Sequence, residues 1–306
     1  MRYFETTTKF LLACTLLGGC ALDAGDNPSE DTIHEPSADV ASPQLGGIVA
    51  EPGGELSNPT TYFSGNWNYS WGDTHDSSAV IGTATGRTCF MTGIAGDLRP
   101  GDDRYFSDGF HPAGAGVRVN AAGNYEIYVT PTRLIQVWAR CVNSAAGRTA
   151  EKRWQSGTAA VALGAVTANR RCFLTQIDNH NWVYNSDKST GWYAFTNLSS
   201  DYVRIWNDGA NWYLGGSVAK GNVFAYAQCI DVSQDDGGWG WQAGDPGTRK
   251  DPLTNVGGAT CGLTGFGGHF DAEDWVDGAF ITYDAGINQF YMNTKNGKFG
   301  EARCVK

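Results

Sequence analysis

The phrase RTCFMTGI at residues 87–94 returns as RRCFLTQI at 170–177 and as ATCGLTGF at 259–266. Each copy runs on to a second phrase: ARCV at 139–142, AQCI at 227–230, and ARCV at 302–305. A tryptophan leads each copy: Trp71 and Trp154 stand eighteen residues before their cysteines, and Trp241 stands twenty before Cys261. A chain that repeats itself at intervals of about 70 to 85 residues is built from one supersecondary unit used three times. Any fold assigned to it has to satisfy that arithmetic.

The repeat also limits the cysteine chemistry. Outside the first twenty residues the chain has six cysteines, which allow fifteen pairings. A unit that carries its own pair most simply bridges within itself, giving Cys89 with Cys141, Cys172 with Cys229, and Cys261 with Cys304. Each bridge closes a loop of roughly fifty residues, a constraint on the unfolded chain of about 4 kcal/mol. Metal binding is the weaker reading, since no CxxC spacing occurs and the chain has 5 histidines.

Within each unit, short runs of β-branched and aromatic residues alternate with Gly, Asn, Asp and Ser clusters, and no long stretch keeps a helical period. Glycine, 41 of 306 residues, is at roughly twice its usual share, which suits tight turns. The expected fold is all-β: three tandem Cys-paired β-repeats. Short connections, such as residues 231–241, favour one compact pseudo-threefold, prism-like assembly over three bead-like units. A trefoil, built from shorter repeats, fits less well.

The chain's first segment has a different character. Arg2 and Lys9 flank an apolar run, FLLACTLL, too short to span a bilayer, and LGGC follows at 17–20. This resembles the lipobox of bacterial lipoproteins. The resemblance implies that residues 1–19 are a signal peptide and that Cys20 becomes a lipidated N-terminus, anchored firmly by several acyl chains. Ala21 after the anchor implies outer-membrane sorting by the enterobacterial pattern. Residues 21–60 carry eight acidic residues, no Lys or Arg, and half of the 10 prolines. Such a segment buries too little apolar surface to offset chain entropy. Residues 20–60 therefore read as a disordered tether with a reach of roughly 35 Å. The organisation expected beyond it is repeat 1 at 61–145, repeat 2 at 146–232 and repeat 3 at 233–306. As a whole the repeat pattern resembles a secreted bacterial family of Cys-paired β-repeats, a likeness that implies the architecture and no activity.

Residues 61–306 hold 23 acidic and 20 basic side chains, a balance that offers no electrostatic case for nucleic acid. Membrane contact is expected through the lipid alone.

One hairpin attracts a functional reading. In VRIWNDGANWYL at 203–214, an Asp-Gly pair between β-formers predicts a turn centred on Asp208 and Gly209. That register pairs Trp206 with Asn211, Ile205 with Trp212, Arg204 with Tyr213, and Val203 with Leu214. Alternation then places Val203, Ile205, Trp212 and Leu214 on a core face, with Arg204, Trp206, Asn211 and Tyr213 opposite. In repeat 1 the same plan sets Val117, Val119, Tyr125 and Ile127 against Arg118, Asn120, Asn124 and Glu126, with Arg118 facing Glu126. In repeat 3, FITYDAGINQFYM at 280–292 does not divide cleanly. Flat rings with a few amides and charges suit sugar recognition. The candidate ligand-binding residues are Arg204, Trp206, Asn211 and Tyr213, with Trp182, Tyr184 and Trp192 in the same repeat. The competing explanation is that these aromatics fill sheet interiors.

Enzyme signatures such as GxSxG, HExxH, a Walker loop or GxGxxG are missing, so no catalytic residue is assigned. His180 and His269 share a place eight residues after their cysteines, but Asp97 holds it in repeat 1, so a polar loop position explains all three. Paired carboxylates, such as Asp271 with Asp274 or Asp102 with Asp103, have the groups that acid/base hydrolysis needs, but Asp clusters are commonplace in Gly-rich loops. No cofactor is expected. Calcium is the minor alternative, at DAEDWVDG (271–278) and DDGG (235–238), where hard oxygens cluster; neither matches an EF-hand loop, and solvated loop acids are the default reading. The reading is a lipid-anchored, surface-exposed binding module of the cell envelope whose partner is a glycan or another cell-surface component. The alternatives are an adhesive protein that binds another protein and a secreted hydrolase.

Overall fold

Three residues, Thr92, Thr175 and Thr264, occupy the same place in the three copies of the cysteine phrase, and each is skipped by its ladder. The pairing of the leading cysteine strand with the closing strand jumps from Met91 to Gly93, from Leu174 to Gln176 and from Leu263 to Gly265. Each threonine is thus the extra residue of a β-bulge, which bends the strand and increases its twist.

The computed structural model describes residues 61–64, 77–96, 98, 113–130, 135–180, 195, 201–218, 222–242, 249–250, 259–268, 270, 278–284, 289–294 and 298–306. The signal, Cys20, the tether, Trp182, Tyr184, Trp192, His269, Asp97, Asp102, Asp103, Asp271 and Asp274 lie outside them. All described residues belong to one compact unit, Ser42–Lys306. The first repeat supplies β1 (Thr61–Ser64), β2 (Ser77–Thr83), β3 (Thr88–Gly96), β4 (Ala113–Val119), β5 (Asn124–Val129) and β6 (Ile135–Val142). The second supplies β7 (Lys152–Gln155), β8 (Val161–Ala165), β9 (Arg170–Asn179), β10 (Tyr202–Asn207), β11 (Asn211–Ser217) and β12 (Val223–Asp231). The third supplies β13 (Trp239–Gln242), β14 (Arg249–Lys250), β15 (Thr260–Gly267), β16 (Gly278–Asp284), β17 (Gln289–Thr294) and β18 (Phe299–Val305). No helix occurs among the described residues, so the fold is all-β.

These strands form three six-stranded sheets, and no sheet belongs to one repeat. The first sheet runs β1-β6-β3-β16-β17-β14, the second β7-β12-β9-β4-β5-β2, and the third β13-β18-β15-β10-β11-β8. Each repeat places its cysteine strands in one sheet and its hairpin in the next, and the hairpin of repeat 3 returns to the sheet of repeat 1. The exchange is cyclic, so the bead-like alternative is excluded.

The bridges are Cys89–Cys141, Cys172–Cys229 and Cys261–Cys304, each joining residues directly opposite in register. Past the bulge, the leading cysteine strand pairs with the neighbouring repeat's hairpin: β3 with β16 through Gly93–Ala95, β9 with β4 through Gln176–Asn179, and β15 with β10 through Gly265–Gly267. Before the bulge it pairs only with its own closing strand. There a residue of the hairpin's second strand reaches the residue preceding the closing cysteine. Arg140 lies over the Phe290 ring (4.8 Å), Arg303 over Trp212 (5.3 Å), and Tyr125 Oη donates to Gln228 Oε1 (3.2 Å). β3 and β15 are buried along their entire length.

The cysteine-bearing ends meet around the pseudo-threefold axis. Phe90 and Phe173 stack there with centroids 4.3 Å apart. The third copy has Gly262 in their place, and a Cβ on it would lie 2.5 Å from Phe90 Cδ2 and 2.6 Å from Phe173 Cδ1. Two rings fill a space that three would overfill, so the motif departs from its own pattern where the axis demands it. With Ile230, Val232 and Val305 these rings form a small apolar cluster beside the main core. The residues after the closing cysteines, Val142, Ile230 and Val305, line a depression of about 440 Å³ at this end.

Gly262→Ala is expected to lower stability in urea unfolding by about 1–3 kcal/mol through overpacking. The double variant Phe90→Gly with Gly262→Phe moves the gap one place round the axis. It should recover most of what Gly262→Phe alone loses, whereas equal losses in both would refute this packing.

Candidate functional site

The hairpin β10–β11 turns on Gly209 and Ala210, with Gly209 at φ +91° and Asp208 N donating to Asn211 O (3.2 Å). The expected turn centre was Asp208 and Gly209, and moving it by one residue shifts the register by two. Trp206 pairs with Tyr213, Ile205 with Leu214, Arg204 with Gly215, and Val203 with Gly216. The cause is the Asp208 carboxylate, which accepts from the backbone N–H groups of Ala210 and Asn211 (both 2.8 Å) and so caps the turn. The same two bonds hold its pKa below the usual carboxylate range. Because side chains alternate with period two, the face assignment survives the shift. Val203, Ile205, Trp212 and Leu214 are buried, and the opposite face carries Arg204, Trp206 and Tyr213.

On that outer face, Trp206 and Tyr213 lie nearly parallel, at 25° with centroids 6.0 Å apart, and both are half-buried. Tyr213 Oη donates to Asp208 Oδ2 (3.1 Å). The indole lies across Gly215: a Cβ there would come 2.8 Å from Trp206 Cη2. Glycine at this place lets the ring lie low against the backbone, with its other face turned away from it. Asn211 is half-buried beside the turn.

Sequence reading missed Glu301. It stands on β18 opposite Gly265, and Gly265 is opposite Arg204, so Glu301 reaches over a glycine to Arg204 Nη2 (Oε1, 3.3 Å). Burial raises its pKa, and Arg204 lowers it in part. The available signal was positional: counting three back from each closing cysteine gives Trp138, Tyr226 and Glu301.

Aligning the sheets on their bulges also corrects the comparison of hairpins. Gly93, Gln176 and Gly265 follow the bulged threonines, and they face Phe280, Gly116 and Arg204. Trp206 therefore corresponds to Arg118, and the ring pair Trp206–Tyr213 corresponds to the ion pair Arg118–Glu126 (2.7 Å). The similarity of VRV to VRI was out of phase by two. In repeat 3, Ile281 pairs with Met292 and Thr282 with Tyr291, so Ala279, Ile281, Phe290 and Met292 form the core face that the sequence left undivided.

The equivalent place in the first sheet holds Trp138 and Phe280, stacked (5.3 Å) over Gly93. In the second sheet Tyr128 crosses Gly116. Its Oη donates to Asp178 Oδ1 (2.9 Å) and lies 3.0 Å from Gln176 Oε1, while Arg118 covers the ring (4.2 Å). Glu151 accepts from Thr175 Oγ1 (2.5 Å) and Gln176 Nε2 (2.6 Å); the residue is exposed as a whole, but its carboxylate is enclosed by these donors. Burial raises the pKa of Asp178, against the hydrogen bond from Tyr128, and likewise that of Glu151. Burial and the Asp178 charge push Tyr226 up to about 12. Both carboxyls are matched by donors; Asp178, through Tyr128, ties repeat 1 to repeat 2, and Glu151 braces repeat 2 internally.

Asp235 lies between the guanidinium groups of Arg171 (2.6 Å) and Arg303, and Asp236 Oδ1 accepts from Gly238 N (2.9 Å). In this stretch Asp235 Oδ2 thus serves an ion pair and Asp236 Oδ1 a turn. His180 sets its ring edge against Phe224 (5.1 Å). Compared with protein-family models, curated proteins and solved structures, the chain matches none.

A carboxyl raised in the fold keeps a proton that the unfolded chain releases, so it lowers stability progressively as pH rises above the unfolded value, about pH 4. Asp178→Asn removes this penalty. The difference in thermal midpoint between variant and wild type should move in the variant's favour from pH 4 to pH 7, and a difference independent of pH would contradict the assignment.

Proposed function

We propose that this chain is a lipid-anchored binding module displayed at the cell envelope, recognising glycan through the outer face of the third sheet. The observation that carries the reading is the Trp206–Tyr213 pair, two near-parallel rings of which the indole lies across Gly215, on the same face as Arg204 and Glu301. Sugar rings present apolar C–H faces that stack on such a platform, and their hydroxyls need nearby donors and acceptors. The anchor and the outer-membrane address rest on the LGGC segment, Cys20 and Ala21. The acidic tether after them would carry the β unit clear of the lipid surface. Three internal disulfides suit an oxidising compartment. No helix among the described residues is long and apolar enough to cross a membrane.

The full chain with Cys20→Ser should leave the membrane fraction, and it then serves as the soluble probe on a glycan array. Adding Trp206→Ala or Tyr213→Ala should lower the glycan signal at least about tenfold with the fold intact, consistent with loss of a central aromatic contact. A blank array, with capture of a cell-surface protein instead, would favour the adhesive reading.

A further inference from the structure

The third sheet combines, in one strip, features that the other two divide. Arg204 stands between Gly215 on β11 and Gly265 on β15. Over Gly215 lies the indole of Trp206; over Gly265 lies the Glu301 carboxylate, whose Oε2 would be 2.8 Å from a Cβ placed there. The strip thus reads carboxylate, guanidinium, indole, phenol, with a glycine beneath the carboxylate and another beneath the indole. The Arg204 and Glu301 side chains are 44% and 25% exposed, so both heads remain reachable. In the first sheet the corresponding positions hold the Trp138–Phe280 stack, which has rings but no charge pair across its glycine. In the second they hold Tyr226, Gln176 and Gly116, with Tyr128 folded down and 2% exposed.

Taking the third sheet as the glycan site, we propose that it selects neutral sugars with two adjacent free hydroxyls, gripped by Arg204 and Glu301 while the ring stacks on Trp206. A guanidinium only donates hydrogen bonds and an ionised carboxylate only accepts them, whereas a hydroxyl does both. Arg204 Nη2 and Glu301 Oε1, 3.3 Å apart, form a donor beside an acceptor. Adjacent ring hydroxyls match that pair with no leftover charge: one accepts from Arg204 and the other donates to Glu301. A uronate or other acidic sugar would bring its charge against Glu301, and an amino sugar would bring its ammonium against Arg204. Each clash disfavours the wrong ligand by repulsion and by stranding a desolvated charge. The isosteric Glu301→Gln keeps the side chain's volume and its hydrogen-bonding oxygen, so the fold is expected to persist in that variant. Among the described residues only this sheet carries both parts, so binding is expected to be monovalent.

The experiment uses the Cys20→Ser chain on an array of glycans terminating in neutral hexoses, uronic acids and amino sugars, with deoxy versions of the neutral terminal sugars. Neutral termini with adjacent hydroxyls should dominate, and removing either hydroxyl should weaken binding about tenfold, as expected for a hydrogen bond to a charged group. Glu301→Gln should lower affinity for neutral sugars by about the same factor and reduce the exclusion of uronates. Loss of binding in Trp206→Ala, together with full neutral-sugar affinity in Glu301→Gln, would leave the glycan reading standing and overturn the diol assignment. A preference of the wild-type chain for acidic or amino sugars would also overturn it. Binding of sugars that is unchanged in Trp206→Ala would overturn both.

Discussion

Three short seams hold this fold in one piece. Along each, a few residues of a cysteine strand pair with the hairpin of another repeat: Gly93–Ala95 with β16, Gln176–Asn179 with β4, and Gly265–Gly267 with β10. All three begin immediately after a bulged threonine. The bulge divides each strand into a part that serves its own repeat, through the disulfide, and a part that serves a neighbour. Burial of both faces at the axis, the stacked Phe90 and Phe173, and the gap at Gly262 depend on that division. So does the candidate site, since Glu301 meets Arg204 only because β15 and β10 are joined at a seam.

Repetition gives three equivalent outer surfaces, and their chemistries have separated. One carries stacked rings, one a closed network of carboxyls, tyrosines and an amide, and one an ion pair running into an aromatic platform. Glycines set the relief in the first and third. Gly93, Gly215 and Gly265 leave space that a neighbouring side chain occupies, and the identity of that neighbour decides whether the surface is sealed or offers partners to a ligand. Tyr128, paired with Gly116, reaches Asp178, whereas among the described residues Trp206 has no such hydrogen-bonded partner and its ring lies across Gly215.

Local features were legible in the sequence, and associations between repeats were not. The disulfides followed from one cysteine pair per repeat, and the division of residues 203–214 into two faces followed from period-two alternation, which a two-residue slip cannot disturb. The slip itself came from Asp208 capping the turn instead of occupying its centre, a choice made by backbone hydrogen bonds that DG alone does not reveal. The exchange of hairpins was hidden because β3 shows the same apolar pattern whether its neighbour is sequence-adjacent or, like β16, far along the chain. Glu301 was missed for the same reason. The glycine in ATCGLTGF was visible as a departure from the repeat, but its cause lies in two phenylalanines of other repeats.

If the seams govern the structure, the repeats cannot melt independently. Differential scanning calorimetry of the oxidised Cys20→Ser chain tests this most directly. The account predicts one transition for the β unit, with calorimetric and van't Hoff enthalpies in agreement. Three resolvable transitions, or a van't Hoff enthalpy near one third of the calorimetric value, would show repeats that unfold as separate bodies and would contradict it.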